Sequence, residues 1–169
     1  LVGGQDELVF DGASFAMNHR GELTHQLQEF AEVIELIDIH NQQPTKGQLA
    51  APQLPIASIY QALCLGVKDY IRKNGFPGAL LGLSGGVDSA LTLAIAVDAL
   101  GADNVRTVMM PSQYTADISL ADANEMVELL GIKHYQCSIQ FLFDQYLSTV
   151  EADLHITPDP NGSNTMPEN

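Results

Sequence analysis

Short apolar runs alternate with polar residues over residues 1–39, and beyond Pro55 the spacing becomes helical, so the chain divides into two regions of different architecture. Leu8-Val9-Phe10 and Ser14-Phe15-Ala16-Met17 predict short strands around Asp11-Gly12, with a turn at Asn18-His19-Arg20-Gly21 and loose alternation from Glu22 to Glu29. Ala31 to Ile39 predicts a further strand with one wet face: Val33, Ile37 and Ile39 stand between acidic residues, although Leu36 breaks the period. A few strands of this kind cannot close a core by themselves, so residues 1–39 are expected to complete a larger β-rich domain. From His40 to Pro55 the pattern collapses into Asn, Gln, Pro, Thr and Gly with few apolar anchors, which predicts a linker.

After Pro55, a first-turn proline, Ile56, Ile59, Tyr60, Leu63, Val67, Tyr70 and Ile71 make one helical face that ends at Asn74-Gly75. A buried strand follows at Leu80-Leu81-Gly82-Leu83, then a glycine turn, then a helix carrying Ala90, Leu91, Leu93, Ala94, Ile95, Val97 and Leu100. Val105 to Met110 predicts a second strand, ended by Pro111, and a helix between two such strands requires a parallel crossover. Ser119-Leu120-Ala121-Asp122 has the spacing of a helix cap, and Leu120, Ala123, Val127 and Leu130 share the following face up to Gly131. Lys133 to Ser138 predicts a third strand, and Ile139 to Val150 a fourth helix with Leu142, Phe143, Tyr146, Leu147 and Val150 inward. The alternation implies an α/β fold, a doubly wound parallel-sheet sandwich whose ligands sit at the carboxyl ends of the strands. From Ala152 the sequence cannot build a core; it is expected to be mobile, or a lid that substrate orders.

Composition narrows the function. Twenty-one acidic against seven basic residues give a net charge of −14, which argues against binding nucleic acid through its phosphates. No apolar run reaches the length of a membrane span and no basic-then-apolar leader opens the chain, so no membrane association and a cytoplasmic setting are expected. Cys64 and Cys137, the two cysteines, lie in apolar patterns without metal-ligand spacing and are expected to be buried free thiols. The start at Leu1 and the stop at Asn169 fit a segment of a longer protein.

The chemistry concentrates in Gly82-Leu83-Ser84-Gly85-Gly86-Val87-Asp88-Ser89. Glycines at 85 and 86 allow a tight turn and close ligand approach, and the N–H groups opening the next helix carry partial positive charge. A phosphate fits such a turn, with Ser84 and Ser89 as added donors. Asp88 would repel a polyphosphate unless a divalent cation lay between them, so the turn predicts a metal–nucleotide complex with Asp88 as the metal ligand.

The spelling S-G-G-V-D-S is not a Walker loop; it resembles the pyrophosphate-binding loop of the ATP pyrophosphatases, whose fold is the adenine nucleotide alpha hydrolase-like sandwich. Met109-Met110-Pro111-Ser112-Gln113-Tyr114-Thr115, with Ser119 and Asp122-Ala123, is similar to the segment after the second strand in glutamine-dependent NAD(+) synthetases. Val2 to Ser14 is similar to the end of the nitrilase-like αββα glutaminase domain of the same enzymes, and Glu168-Asn169 to the start of their Glu-Asn-x-Gln-Ala-Arg motif. The resemblance implies three regions: residues 1–39 as the end of the glutaminase domain, 40–55 as a linker, and 56–169 as the first part of the synthetase domain. It also implies an enzyme that uses ATP and Mg²⁺ to amidate deamido-NAD through an acyl-adenylate, with ammonia from glutamine, and that forms a homo-oligomer. Gly82 to Ser89 with Met110 and Pro111 would then bind ATP, Asp88 would ligate Mg²⁺, and Asn169 would contact deamido-NAD. The glutaminase nucleophile would lie outside this segment, which alone would be inactive. Another ATP pyrophosphatase such as GMP synthetase, or a non-catalytic ATP-binding module of the same fold, shares the loop; the similarity of Val2–Ser14 disfavours the first and Asp88 the second.

Overall fold

The computed structural model describes residues 1–154. The first part holds three separate two-stranded antiparallel ladders: β1 (Val2–Gln5) with β2 (Leu8–Asp11), β3 (Phe15–Met17) with β4 (Leu23–Gln26), and β5 (Ile39–His40) with β6 (Gln43–Pro44). The strand expected over Ala31–Ile39 does not form; only Ile39 pairs, and Ile34 and Leu36 are almost fully exposed. Among the described residues no neighbouring strand is on hand to accept its ladder bonds, so alternation without a partner leaves irregular chain. The expected linker is more anchored than its composition implied. Gly47, Gln48 and Ala50 run beside β4 through Gly47 N–H to Thr24 O, Gln26 N–H to Gln48 O, and Ala50 N–H to Gln26 O, at 2.9–3.0 Å.

The second part begins with α1 (Pro55–Lys73), whose proline occupies the first turn and whose end is closed by Asn74 and a left-handed Gly75. Three strands then form one parallel sheet in the order β7 (Ala79–Gly82), β8 (Val105–Met109), β9 (Lys133–Gln136). The connections are α2 (Val87–Leu100) and α3 (Asp117–Leu130), and α4 (Gln140–Leu154) follows β9. The chain steps in one direction across the sheet, so both crossover helices cover the same face. Val105, Thr107 and Met109 of β8 point into that layer, where Leu93 and Ala96 of α2 and Ala123 of α3 complete the core. Thr107 is fully buried and keeps its hydroxyl satisfied by His134 Nδ1 at 2.8 Å.

Several expectations change at the margins. Among the described residues the second helical layer of a doubly wound sandwich is not seen: Leu80 and Tyr135, on the other face, are 69% and 51% exposed. The expected inward face of α4 is largely outward, with Leu142 and Tyr146 exposed, because the helix meets little beyond the loop after β8. Helix α1 likewise buries none of its residues completely. Helix α3 starts two residues before Ser119 with Ala116 at its cap and no side-chain capping bond. Neither cysteine is fully buried as expected: Cys64 is half-buried, and Cys137 is exposed just past edge strand β9, where its amide continues the ladder to Met109 O at 2.8 Å. No helix among the described residues is long and apolar enough to cross a membrane. Asn169 and the end of the expected tail lie outside the described residues.

Candidate functional site

The carboxyl ends of β7 and β8 meet at one edge of the sheet, and the glycine turn lies there. Leu83 is buried and extends the parallel ladder through its amide to Val108 O at 2.9 Å, which fixes where the turn begins. Gly85 has φ +81°, a conformation that costs other residues roughly 1–2 kcal/mol. A side chain there would also meet the first turn of α3: its Cβ would lie 2.7 Å from Ser119 Cα. The turn thus depends on glycine both for its backbone angle and for its seat against α3. Gly86 is the N-cap of α2 at an ordinary φ of −86°.

The hydroxyls of the turn close it upon itself. Ser89 Oγ donates to Gly86 O at 2.9 Å and lies 3.0 Å from Ser84 Oγ, and Ser84 Oγ accepts from Gly86 N–H at 3.2 Å. The Ser84 amide reaches Ser89 Oγ at 3.3 Å. What remains free is the first turn of α2. The amides of Val87, Asp88 and Ser89 precede the first helical bond, Ala90 N–H to Gly86 O at 3.1 Å, and point out of the helix end. Such amides with the helix dipole behind them bind anions. Asp88, at the second position of α2, is exposed and its carboxylate has no hydrogen-bond partner among the described residues. Nor does any group of three or more His, Cys, Asp or Glu side chains there gather closely enough to hold a metal ion. A cation at Asp88 would therefore need most of its ligands from water and from the anion itself, which is the way Mg²⁺ is commonly held beside phosphates.

Met110, half-exposed past the end of β8, lies across the sheet edge with its Cε 4.0 Å from where a Cβ on Gly82 would stand. Gly82, the turn and Met110 thus stand at one edge of the sheet. Pro111 O accepts the Ile139 amide at 3.1 Å, which ties the loop after β8 to the start of α4. Gln140, which the periodicity treated only as a helix position, strengthens that tie: its Oε1 accepts the Gln113 amide at 2.6 Å and its Nε2 donates to Asp144 at 2.7 Å. Tyr114 packs edge-on to Phe143 with centroids 5.6 Å apart. A polar side chain one residue into a helix, facing a polar loop, was the available signal for Gln140.

A cavity of about 370 Å³ also touches the turn, at Gly85, Gly86 and Val87, but it opens between α2 and α3 with Asp122, Glu125 and Met126 in its wall. Ser84, Asp88, Ser89 and Met110 do not line it, so it lies behind the turn and is not the anion face. A separate cavity of about 410 Å³ is walled by Gln26, Gln28, Val33, Gln48 and Gln53 and shares no residue with the turn.

Against known proteins, the family model for NAD synthase matches residues 59–163. The chain belongs to the NAD synthase family. A relative in this family, a glutamine-dependent NAD(+) synthetase from Acinetobacter baylyi, is 45% identical over 151 residues, 88% of this chain but 28% of its own length. The structure of a glutamine-dependent NAD(+) synthetase from Acinetobacter baumannii in complex with adenosine diphosphate superposes with a TM-score of 0.88 at 41% identity, over 94% of this chain and 30% of that one. An NMN synthetase from Francisella tularensis superposes less fully, with a TM-score of 0.55 at 28% identity over 63% of this chain and 42% of that one. The chain therefore spans less than a third of the two Acinetobacter synthetases.

Proposed function

We propose that this chain is part of a glutamine-dependent NAD(+) synthetase and supplies the ATP-binding portion of the site that amidates deamido-NAD, with ammonia from glutamine and release of AMP and pyrophosphate. The observation that carries the reading is the Ser84–Ser89 turn: three free helix amides beside an exposed, unpartnered Asp88, in a chain 45% identical to a synthetase of that name. In this reading the amides of Val87, Asp88 and Ser89 hold the leaving pyrophosphate. The Ser84 and Ser89 hydroxyls, bonded to each other across the turn, would exchange that bond for phosphate oxygens. Gly82, Leu83, Gly85 and Gly86 leave the backbone open to close approach, and Met110 and Pro111 flank the adenosine.

A Mg²⁺ ion at Asp88 would neutralise charge as the α–β phosphate bond breaks. The fit is chemical: one unpartnered carboxylate next to an anion-binding helix end is the oxygen donor such an ion needs. No side-chain nucleophile is required for adenylyl transfer, so positioning and electrostatics carry the step. Asn169 is assigned to deamido-NAD. Residues 1–39 are read as the end of a nitrilase-like glutaminase domain, 40–55 as a connection and 56–169 as the opening of a doubly wound synthetase domain. Homo-oligomeric assembly, which rests on the family resemblance, and a cytoplasmic setting belong to the same reading.

The glutaminase nucleophile is assigned outside this segment. Cys64, on α1 beyond the connection, is not read as that nucleophile: burial first, and then the nearby Asp98 charge, push its thiol above the ordinary range against a smaller opposing effect of the Tyr60 hydrogen bond. A thiol held protonated is a poor nucleophile. The similarity to the synthetases extends over 88% of the chain, well past the shared loop, and favours them over a GMP synthetase. The test is an assay of the full-length protein with deamido-NAD, Mg²⁺, ATP and glutamine. NAD(+), AMP and pyrophosphate should appear one for one; AMP released only with xanthosine monophosphate, or no AMP at all, would refute the proposal.

A further inference from the structure

Helix α1 is gripped on two sides. On one, the β1–β2 hairpin lies with its backbone against the helix: Gly4 N–H donates to Asp69 Oδ2 at 2.8 Å, Lys73 Nζ donates to Gly4 O at 2.6 Å, and the two side chains pair at 3.2 Å. Both backbone polar groups of one residue, Gly4, are thus clasped by one helix turn. Glycines make the approach possible. A Cβ on Gly4 would come within 3.3 Å of both Asp69 Cβ and Gly66 Cα, and one on Gly66 within 3.4 Å of Val9 in β2.

On the other side, Tyr60 donates to Asp98 of α2 at 2.7 Å, and Cys64 faces the Ile95 carbonyl of α2 at 3.9 Å. At about 100° per residue, Tyr60 and Cys64 stand roughly opposite Gly66, Asp69 and Lys73 around α1. Helix α2 in turn begins at the phosphate-type turn, its first-turn amides forming the anion face. Hairpin, α1, α2 and turn are therefore in unbroken contact. The hairpin lies outside residues 59–163 that match the family model, while the turn lies inside them.

We propose that Asp69 and Lys73 are positioning residues that couple the N-terminal hairpin to the Ser84–Ser89 turn through α1 and α2, so that a change at either end is felt at the other. Coupling between sites is reciprocal, so ligand at the turn must tighten the hairpin as much as the clasp tightens the turn. The acidic partner is held ready for this role: burial raises the Asp69 carboxyl, but the Gly4 amide and Lys73 outweigh it and keep the group below its ordinary range, charged at neutral pH.

The test is amide hydrogen exchange on the full-length protein, wild type and Asp69→Ala, with Lys73→Met as a milder variant that leaves the Gly4 N–H acceptor in place. Without ligand, Asp69→Ala should speed exchange about ten-fold at residues 2–5, the scale of one lost charged hydrogen bond, and should also speed it at 84–89 while β9 is unchanged. With Mg²⁺ and ATP, a step that rests on the nucleotide reading of the turn, wild type should gain protection at both 84–89 and 2–5. The variants should gain it at 84–89 only. Faster exchange confined to 2–5, or spread equally over β9, overturns the coupling; so does equal ligand protection of the hairpin in wild type and variants. If ATP protects 84–89 in no form, the nucleotide reading fails instead, and the ligand-free comparison still decides the coupling.

Discussion

Replacing Gly85 by alanine tests whether the turn is built as described. The new Cβ would lie against the Ser119 backbone, nearest its carbonyl oxygen and 2.7 Å from its Cα, and ordinary contact begins at 3.4 Å, so the turn and α3 must separate by at least about 0.7 Å. The φ of +81° adds the left-handed penalty, roughly 1–2 kcal/mol for a residue with a Cβ. Together these predict a loss of about 2–3 kcal/mol in unfolding free energy, of the size given by backbone strain with overpacking. Gly86→Ala is the internal control: its φ is −86° and its Cβ would meet only Ser84 Oγ, at 3.4 Å, so its cost should stay below about 1 kcal/mol. Urea unfolding of the two variants beside wild type measures both numbers, and nucleotide titration of the same samples reads the displaced turn as weaker binding. Equal stability and equal binding for the two alanine variants would refute the reasoning.

Other consequences are more local. Tyr60 donates to Asp98, and that hydrogen bond, with burial and the Asp98 charge, pushes its phenol up to about 12. An absorbance titration should therefore find one of the five tyrosines ionising late, and Asp98→Asn should return it toward 10; no late tyrosine would contradict the α1–α2 contact. Because the folded value is the higher one, the contribution is present below pH 10 and is lost as pH rises toward 12. Leu93 is fully buried in the layer between α2 and the sheet, so Leu93→Ala should cost about 2–5 kcal/mol in thermal or urea unfolding, and a cost under about 1 kcal/mol would mean the core lies elsewhere.

Legibility in the sequence followed the strength of local chemistry. Glycine at 85 and 86 after an apolar strand, proline at 55 and 111, and glycine at 75 and 131 each act within a residue or two, and the elements they bound stand close to where the pattern put them. What failed depended on partners outside the local window. Ala31–Ile39 has a strand's alternation but no neighbour to pair with, and α4 has an apolar face with little to pack on. The turn's place between strand and helix was readable, yet the closure of Ser84 onto Ser89 was not, since hydroxyl partners follow from the fold. The Asp69–Lys73 clasp was hidden for the same reason: Gly4 and Asp69 are 65 residues apart, and an i, i+4 acid–base pair on a helix reads as an ordinary solvated pair.

The central claim is that the turn holds a metal–nucleotide complex with Asp88 facing the phosphates, and calorimetric titration of ATP into wild type and Asp88→Asn, with and without Mg²⁺, tests it most directly. An exposed carboxylate about 4 Å from one phosphate charge is worth about 1 kcal/mol in water-like surroundings, or roughly five-fold in affinity. The account predicts a crossover: without Mg²⁺ the Asp88→Asn variant binds ATP more tightly than wild type, and with Mg²⁺ wild type binds more tightly and the variant gains little from the metal. Parallel behaviour of the two proteins under both conditions, or binding by neither while both are folded, would contradict it.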